Sequence, residues 1–230
     1  MSDTPPLCAA PDPSPRAPQV TVPDGATDCH FHIFDGPSPQ IAERSYTAPP
    51  APLDAFQHLH ATLRISRSVI VQPSVYGTDN RTTLAACDST PQMRAIVVVD
   101  EDTPPSTLAA YRKRGAVGCR VNMLFGSNAR IDSLSSLAGR IADQGWHLQI
   151  LGDVSALGDR MDEFASLPVP VVFDHFGHLQ AIRGINDPGF RRLLRLLGSG
   201  AAWVKLSGAY RLGPAGAQTD RAVADLAAAL

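Results

Sequence analysis

The sequence predicts an α/β protein, a TIM-type (β/α)8 barrel that lacks its last β/α unit. Three observations predict it. From residue 25 on, short β-branched runs alternate with longer amphipathic stretches. Seven such runs occur, each followed by a helix candidate, which is the pattern of a parallel sheet with helical crossovers. The phosphate signature GxGxxG after the first run is absent, and so is a P-loop. That disfavours an open doubly wound sheet, which stays as the alternative. The 230 residues fall slightly short of a complete barrel, which typically takes about 250.

Residues 1–24 form a separate segment, with seven of the 20 prolines. The run "TPPLCAAPDPSPRAPQ" cannot hold a helix or a central strand. It is expected to be a disordered tail or a strap along the surface, with Leu7 and Val20 available to dock. Residues 25–230 are the incomplete barrel. Its strands are expected at 27–34, 67–72, 93–99, 118–123, 146–151, 169–175 and 202–208. Between them lie helix candidates "LDAFQHLHATLRI", "TPPSTLAAYRKRG", "IDSLSSLAGRIADQG", "VSALGDRMDEFASL" and "DPGFRRLLRLLGSG". Several open on Asp, Thr or an early proline and close at glycine, as helices do. The stretch "TDRAVADLAAAL" reads as the seventh helix, ending before any eighth strand.

Composition narrows the function. The chain is 44% hydrophobic and 18% charged, with a formal net charge of −2. No global pull toward nucleic acid or anionic lipid follows, and neither is expected as a partner. The longest aliphatic run, "AIVVV" at 95–99, is far too short to span a bilayer. Cysteines 8, 29, 87 and 119 show no CxxC spacing and read as buried free thiols of a reducing compartment. No basic segment followed by an apolar one opens the chain, so a cytoplasmic location is the default expectation. The oligomeric state is not legible.

The chemistry starts at "TDCHFHIFDG", residues 27–36. On a strand, residues two apart share a face. His30 and His32 are therefore expected to reach one spot, with Cys29, Phe31 and Ile33 on the other face. Two packed core imidazoles are the plain alternative, but each would need its own hydrogen-bond partner. A catalytic or metal site meets that need directly. A second HxH, His58 and His60, lies in a helical pattern, where residues two apart do not face each other, so it reads as helix–sheet packing. His175 ends the sixth expected strand, where barrel catalytic groups sit. His178 reads as a rim residue and His147 as structural.

These residues and their setting resemble the amidohydrolase superfamily. The closer likeness is to its amidohydrolase-2 branch, and within it to the 2-pyrone-4,6-dicarboxylate lactonase-like hydrolases. The segments that carry it are "GATDCHFHIFDG", "RSYTAPPAP", "VIVQPSVYGTDN", "GWHLQI", "PVVFDHFGH" and "WVKLSGAYR". The resemblance implies a hydrolase of cyclic esters of small carboxylated or sugar-derived acids. His30, His32 and His175 would polarise the lactone carbonyl and stabilise the oxyanion. They would do so directly, with no cofactor required, or through a divalent zinc or manganese ion that those three would hold. Tyr46, Ser74, Arg120 and Arg211 look like substrate-binding positions, arginine being suited to a carboxylate by its planar fork.

The sequence departs from that pattern at three places. A second arginine after the fourth strand is replaced by "MLFGS", and a tyrosine ending the fifth by Leu151. A lactone with fewer acidic groups than pyrone dicarboxylate is therefore expected. The family's general-base aspartate belongs to a segment resembling "WGSDWPH", and the chain stops at Leu230 before one. Asp174 does not replace it, because strand alternation points it away from His175. The 230 residues alone are accordingly expected to be inactive. A metal-dependent amidohydrolase or decarboxylase is the enzymatic alternative, with Lys205 as a conceivable carboxylated ligand, though a packed role suits it better. A non-catalytic remnant is the alternative of another class.

Overall fold

A computed structural model describes residues 5–35, 38–124 and 133–230. The chain divides into two compact units, one running up to Gly118 and the other from Cys119 onward. The boundary falls inside a strand.

The first unit contains β1 (Thr27–Phe31), α1 (Leu53–Leu63), β2 (Arg67–Val71), α2 (Arg81–Asp88), β3 (Met93–Val97), α3 (Pro105–Lys113) and the start of β4 (Ala116–Asn122). β2 pairs with β1 and β3, parallel in both cases. Ile70, Val71, Ala95, Ile96 and Val97 are wholly buried. That is why β2 and β3 read as unbroken aliphatic runs rather than alternating ones: helices cover such a sheet on the face that would otherwise be wet. α3 begins at Pro105, whose missing N–H is no loss in a first turn. α1 ends at Arg64 in the left-handed region, φ 58.

The second unit contains the rest of β4, α4 (Leu134–Ala142), β5 (His147–Leu151), α5 (Val154–Leu157), β6 (Val171–Phe173), α6 (Pro188–Gly198), β7 (Ala202–Val204) and α7 (Ala217–Ala229). β6 pairs in parallel with β5 and β7. Met123 N–H donates to Leu151 C=O at 2.8 Å, beside the end of β4. α6 buries Phe190, Leu193 and Leu196, while Arg191 and Arg195 face water. Its cap is Asp187, whose carboxylate takes the Gly189 and Phe190 amides at 2.8 and 3.2 Å. The seven parallel strands and their helices bear out the α/β expectation.

Three elements differ from it. β6 and β7 are three residues each, much shorter than the apolar runs around them. Beyond Phe173 the chain turns left-handed, with positive φ at His175, Phe176, Gly177 and His178, so no ladder can continue. The stretch "VSALGDRMDEFASL" is not one helix. α5 stops after four residues at Gly158, φ 54, and a 3-10 helix follows over Gly158–Ser166. Met161 and Phe164 are still buried, so the apolar spacing survives the change of helix type. Near the N-terminus, Cys8 N–H donates to Thr47 C=O at 2.9 Å and Thr47 N–H to Pro6 C=O at 2.8 Å. The side chains of Leu7 and Val20 do not dock, being 71% and 73% exposed. Cys87 and Cys119 are buried free thiols as expected, whereas Cys8 and Cys29 are exposed. Among the described residues, no helix is long and apolar enough to cross a membrane.

Candidate active site

His30, His32, Tyr46 and Ser74 belong to the first unit; Arg120, His175 and Arg211 belong to the second. The two groups are built differently.

In the first unit, β1 is anchored from behind. His60 on α1 is buried, and its Nε2 lies 3.1 Å from Asp28 Oδ2, while Phe31 stacks on Phe56 at 3.5 Å. His58 is exposed. This HxH is helix–sheet packing, as its period implies. The register of β1 on β2 shifts between Asp28 and Phe31, and the strand ends at Phe31. His32 therefore lies just past the strand, and simple alternation does not place it. The two rings nonetheless meet edge to face, with centroids 5.2 Å apart. His32 Nδ1 lies 2.8 Å from the carbonyl of Val71, the last residue of β2. A carbonyl only accepts, so Nδ1 carries the proton and the Nε2 of the neutral ring carries a lone pair.

Next to His32 is an aromatic patch. Phe34 lies 5.9 Å from the His32 ring, 6.5 Å from Tyr46 and 6.0 Å from Tyr76. Tyr46 is half-buried, as is Ser74, which opens a 3-10 turn over Ser74–Tyr76 after Pro73. Burial, and next the charge of Asp35, push the Tyr76 hydroxyl up to about 12, so it stays a neutral phenol.

In the second unit, four successive strands each deliver one polar side chain to a common cluster. Arg120 on β4 donates through Nε to Asp174 Oδ2 at 3.2 Å. Gln149 on β5 donates to the same oxygen at 3.1 Å. Lys205, just past β7, lies 3.4 Å from Asp174 Oδ1 and donates to Gln149 Oε1 at 2.8 Å. Asp174 and Gln149 are wholly buried and Arg120 is 5% exposed. Asp174 is not turned away as alternation predicts, because β6 has already ended at Phe173. Lys205 is a partner in a buried ion pair rather than a packed stem.

His175 follows directly. Its Nδ1 lies 2.9 Å from Ser207 Oγ. A side chain on Gly208 would meet the same ring at 2.9 Å from Nδ1, and Gly208 has φ 66, so glycine is required there. His178 is no rim residue. It is buried with its ring 5.4 Å from His175, and its Nε2 has no hydrogen-bond partner among the described residues. Burial, and next the Arg211 charge, push its pKa down to about 4. Arg211 itself is exposed in a 3-10 turn over Ala209–Arg211, its guanidinium 5.4 Å from the Tyr210 ring centroid. Leu151 is buried at the end of β5. Of the stretch "MLFGS" at 123–127, residues 125–127 lie outside the described residues.

Gln149 and Ser207 are the candidates that reading the strand pattern misses, and Asp174, Lys205 and His178 are the ones to which it gives another role. The signal was present: "GCRVNM", "HLQIL", "VVFDH" and "WVKLS" each carry a polar or charged residue in an apolar run.

The profile of the amidohydrolase family matches residues 27–230. The chain belongs to that family. This amidohydrolase is 31% identical over 217 residues to a 4-sulfomuconolactone hydrolase of Hydrogenophaga intermedia, covering 90% of this chain and 70% of that one. It is 32% identical over 210 residues to a 2-pyrone-4,6-dicarboxylate hydrolase of Comamonas testosteroni, covering 88% and 68%. Among solved structures it resembles a probable 2-pyrone-4,6-dicarboxylic acid hydrolase of Acinetobacter baumannii with citric acid bound. The TM-score is 0.79 at 25% identity, over 88% of this chain and 77% of that one. The likeness bears out the resemblance read from the amidohydrolase motifs, and it is consistent with a TIM-like barrel. The matched span takes in both histidine groups and the Arg120–Asp174 pair.

Proposed function

We propose that this amidohydrolase opens a lactone of a small carboxylated or sugar-derived acid. The observation that carries the reading is Arg120, a strand arginine kept 5% exposed and held in orientation by Asp174. A fixed guanidinium in an apolar strand suits one task above others, the capture of a substrate's acid group. Lys205 contacts the same carboxylate, so Asp174 is held from two sides. The names of the relatives point the same way.

In this reading Arg120 and Arg211 take the acid group, with Tyr46 and Ser74 as further substrate contacts. His30, His32 and His175 stabilise the negative charge that gathers on the carbonyl oxygen as water attacks, a contribution that is commonly the largest in acyl transfer. The acyl C–O bond breaks, the ring oxygen leaves as an alcohol after taking a proton, and a hydroxy acid is released. The proton given up by the attacking water goes to a carboxylate general base.

A second reading rests on the His32 tautomer. An imidazole whose Nδ1–H is held by a backbone carbonyl, as His32 is by Val71, has the tautomer that metal-ligating histidines use. In this reading a zinc or manganese ion, for which His30, His32 and His175 would be the ligands, would polarise the carbonyl when bound. A panel of acidic and neutral lactones, with and without chelator, tests both. Hydrolysis of the acidic members that survives chelation supports the metal-free reading, and its loss on chelation supports the second. Hydrolysis of none overturns both.

A further inference from the structure

Lys205 shares the carboxylate that holds Arg120. Its ammonium lies 2.8 Å from Gln149 Oε1 and 3.4 Å from Asp174 Oδ1. The Gln149 amide is thereby fixed in one sense: its oxygen accepts from Lys205, and its NH2 donates to Asp174 Oδ2 at 3.1 Å. Asp174 Oδ2 also receives Arg120 Nε at 3.2 Å. The three residues behind Arg120 thus close a ring of contacts, Lys205 to Gln149, Gln149 to Asp174 and Lys205 to Asp174. The carboxylate at its centre is wholly buried.

We propose that Lys205 is a positioning residue for Arg120 and so sets the preference of the site for acidic over neutral ligands. The inference rests on the lactonase reading for the role of Arg120. The physical reason is the behaviour of a buried carboxylate. With Lys205 and Gln149 in place, Asp174 has one orientation, and Arg120 Nε can meet it in only one plane. Without the ammonium, Gln149 Oε1 loses its donor and the amide is free to reverse. Asp174 then turns toward whichever donor remains, and Arg120 turns with it. A guanidinium displaced by an ångström loses a two-point grip on a carboxylate while still carrying its charge. Lys205 and Gln149 are therefore expected to matter for anions and to be indifferent to neutral ligands of the same shape.

The test uses equilibrium binding, which needs no turnover. Citrate serves as the anionic probe and a neutral lactone methyl ester as the control, by calorimetry on the wild type, K205M, K205R, Q149L and R120M. K205M is expected to weaken citrate at least tenfold, toward the value of R120M, with the neutral lactone changed less than twofold. K205R, which keeps the cation, should restore most of the affinity. If K205M does not fold, Q149L carries the test, since it cuts the same relay without unpairing the charge. In nitrogen-15 spectra the Arg120 Nε–H signal should broaden in K205M or Q149L, a change that a merely structural lysine would not produce. Citrate affinity unchanged in a folded K205M or Q149L while R120M loses it overturns the inference, as does failure of the wild type to bind citrate. The lactone panel tests the proposed activity separately, so hydrolysis with no effect of Lys205 sinks this inference alone.

Discussion

Arg120 Nε meets Asp174 Oδ2 at 3.2 Å across 54 residues of sequence, both side chains almost wholly out of water. Removing one partner of such a pair leaves an uncompensated buried charge, which costs far more than the pair contributes. Asp174→Ala takes the shared carboxylate away from both Arg120 and Lys205. It is expected to lower the unfolding free energy by about 3–5 kcal/mol, read as a drop in the urea midpoint. A change under about 1 kcal/mol, the range of an exposed pair, would show that the cluster is hydrated.

Arg120→Lys keeps the charge and loses the fork. With an acidic lactone, KM should rise about tenfold, the effect of losing about 1.4 kcal/mol of charge-assisted hydrogen bonding. The methyl ester of the same lactone should show no such change. Equal KM values for the acid in both enzymes would remove Arg120 from the site.

His178 supplies a pH dependence. Burial pushes its pKa in the folded chain down to about 4, from the ordinary 6.5 of a histidine. Between those values the unfolded chain takes up a proton that the folded one refuses. Its contribution to stability is therefore intact above pH 6.5 and falls as pH drops toward 4. His178→Leu removes the titrating group. A plot of unfolding free energy against pH should be flatter in the variant over that window, and parallel curves would refute the assignment.

Gly189 lies in the first turn of α6, against α5. A methyl group there would collide with the Val154 carbonyl, a backbone atom that cannot rotate away. Gly189→Ala should therefore destabilise by about 1–3 kcal/mol, the usual cost of overpacking, although alanine is the better helix former. A stabilised variant, seen as a raised Tm, would mean that α5 and α6 separate at little cost.

The parts of the fold that burial alone dictates were legible. β2 and β3 declare themselves because both of their faces are dry, and α6 because its arginines and leucines sort by face. β6 and β7 were read several residues too long, since the apolar sequence continues past the last ladder bond. The cause, positive φ at His175, Phe176 and His178, has no signature in residues that are not glycine. The same blindness misplaced Asp174. Alternation holds only while a strand lasts, and this one ends a residue earlier. His30 with His32 was a sound pairing for a partly wrong reason: His32 is off the strand, and the Val71 carbonyl orients it. Lys205 and Gln149 were visible as polar letters in apolar runs. Their mutual contact joins residues 56 apart, which no local pattern encodes.

The four-strand cluster also bears on how this unit opens. Arg120, Gln149, Asp174 and Lys205 come from β4, β5, the end of β6 and the end of β7. Each of those strands could otherwise fray with its own helix, as one layer of a modular chain. Here, peeling any one of them away strands a charge or an amide in the interior of the rest. Partial opening is thereby penalised, and the four strands behave as one cooperative block. In native-state hydrogen exchange their amides should share a single opening free energy, and Lys205→Met should split that block, freeing β7 to exchange first.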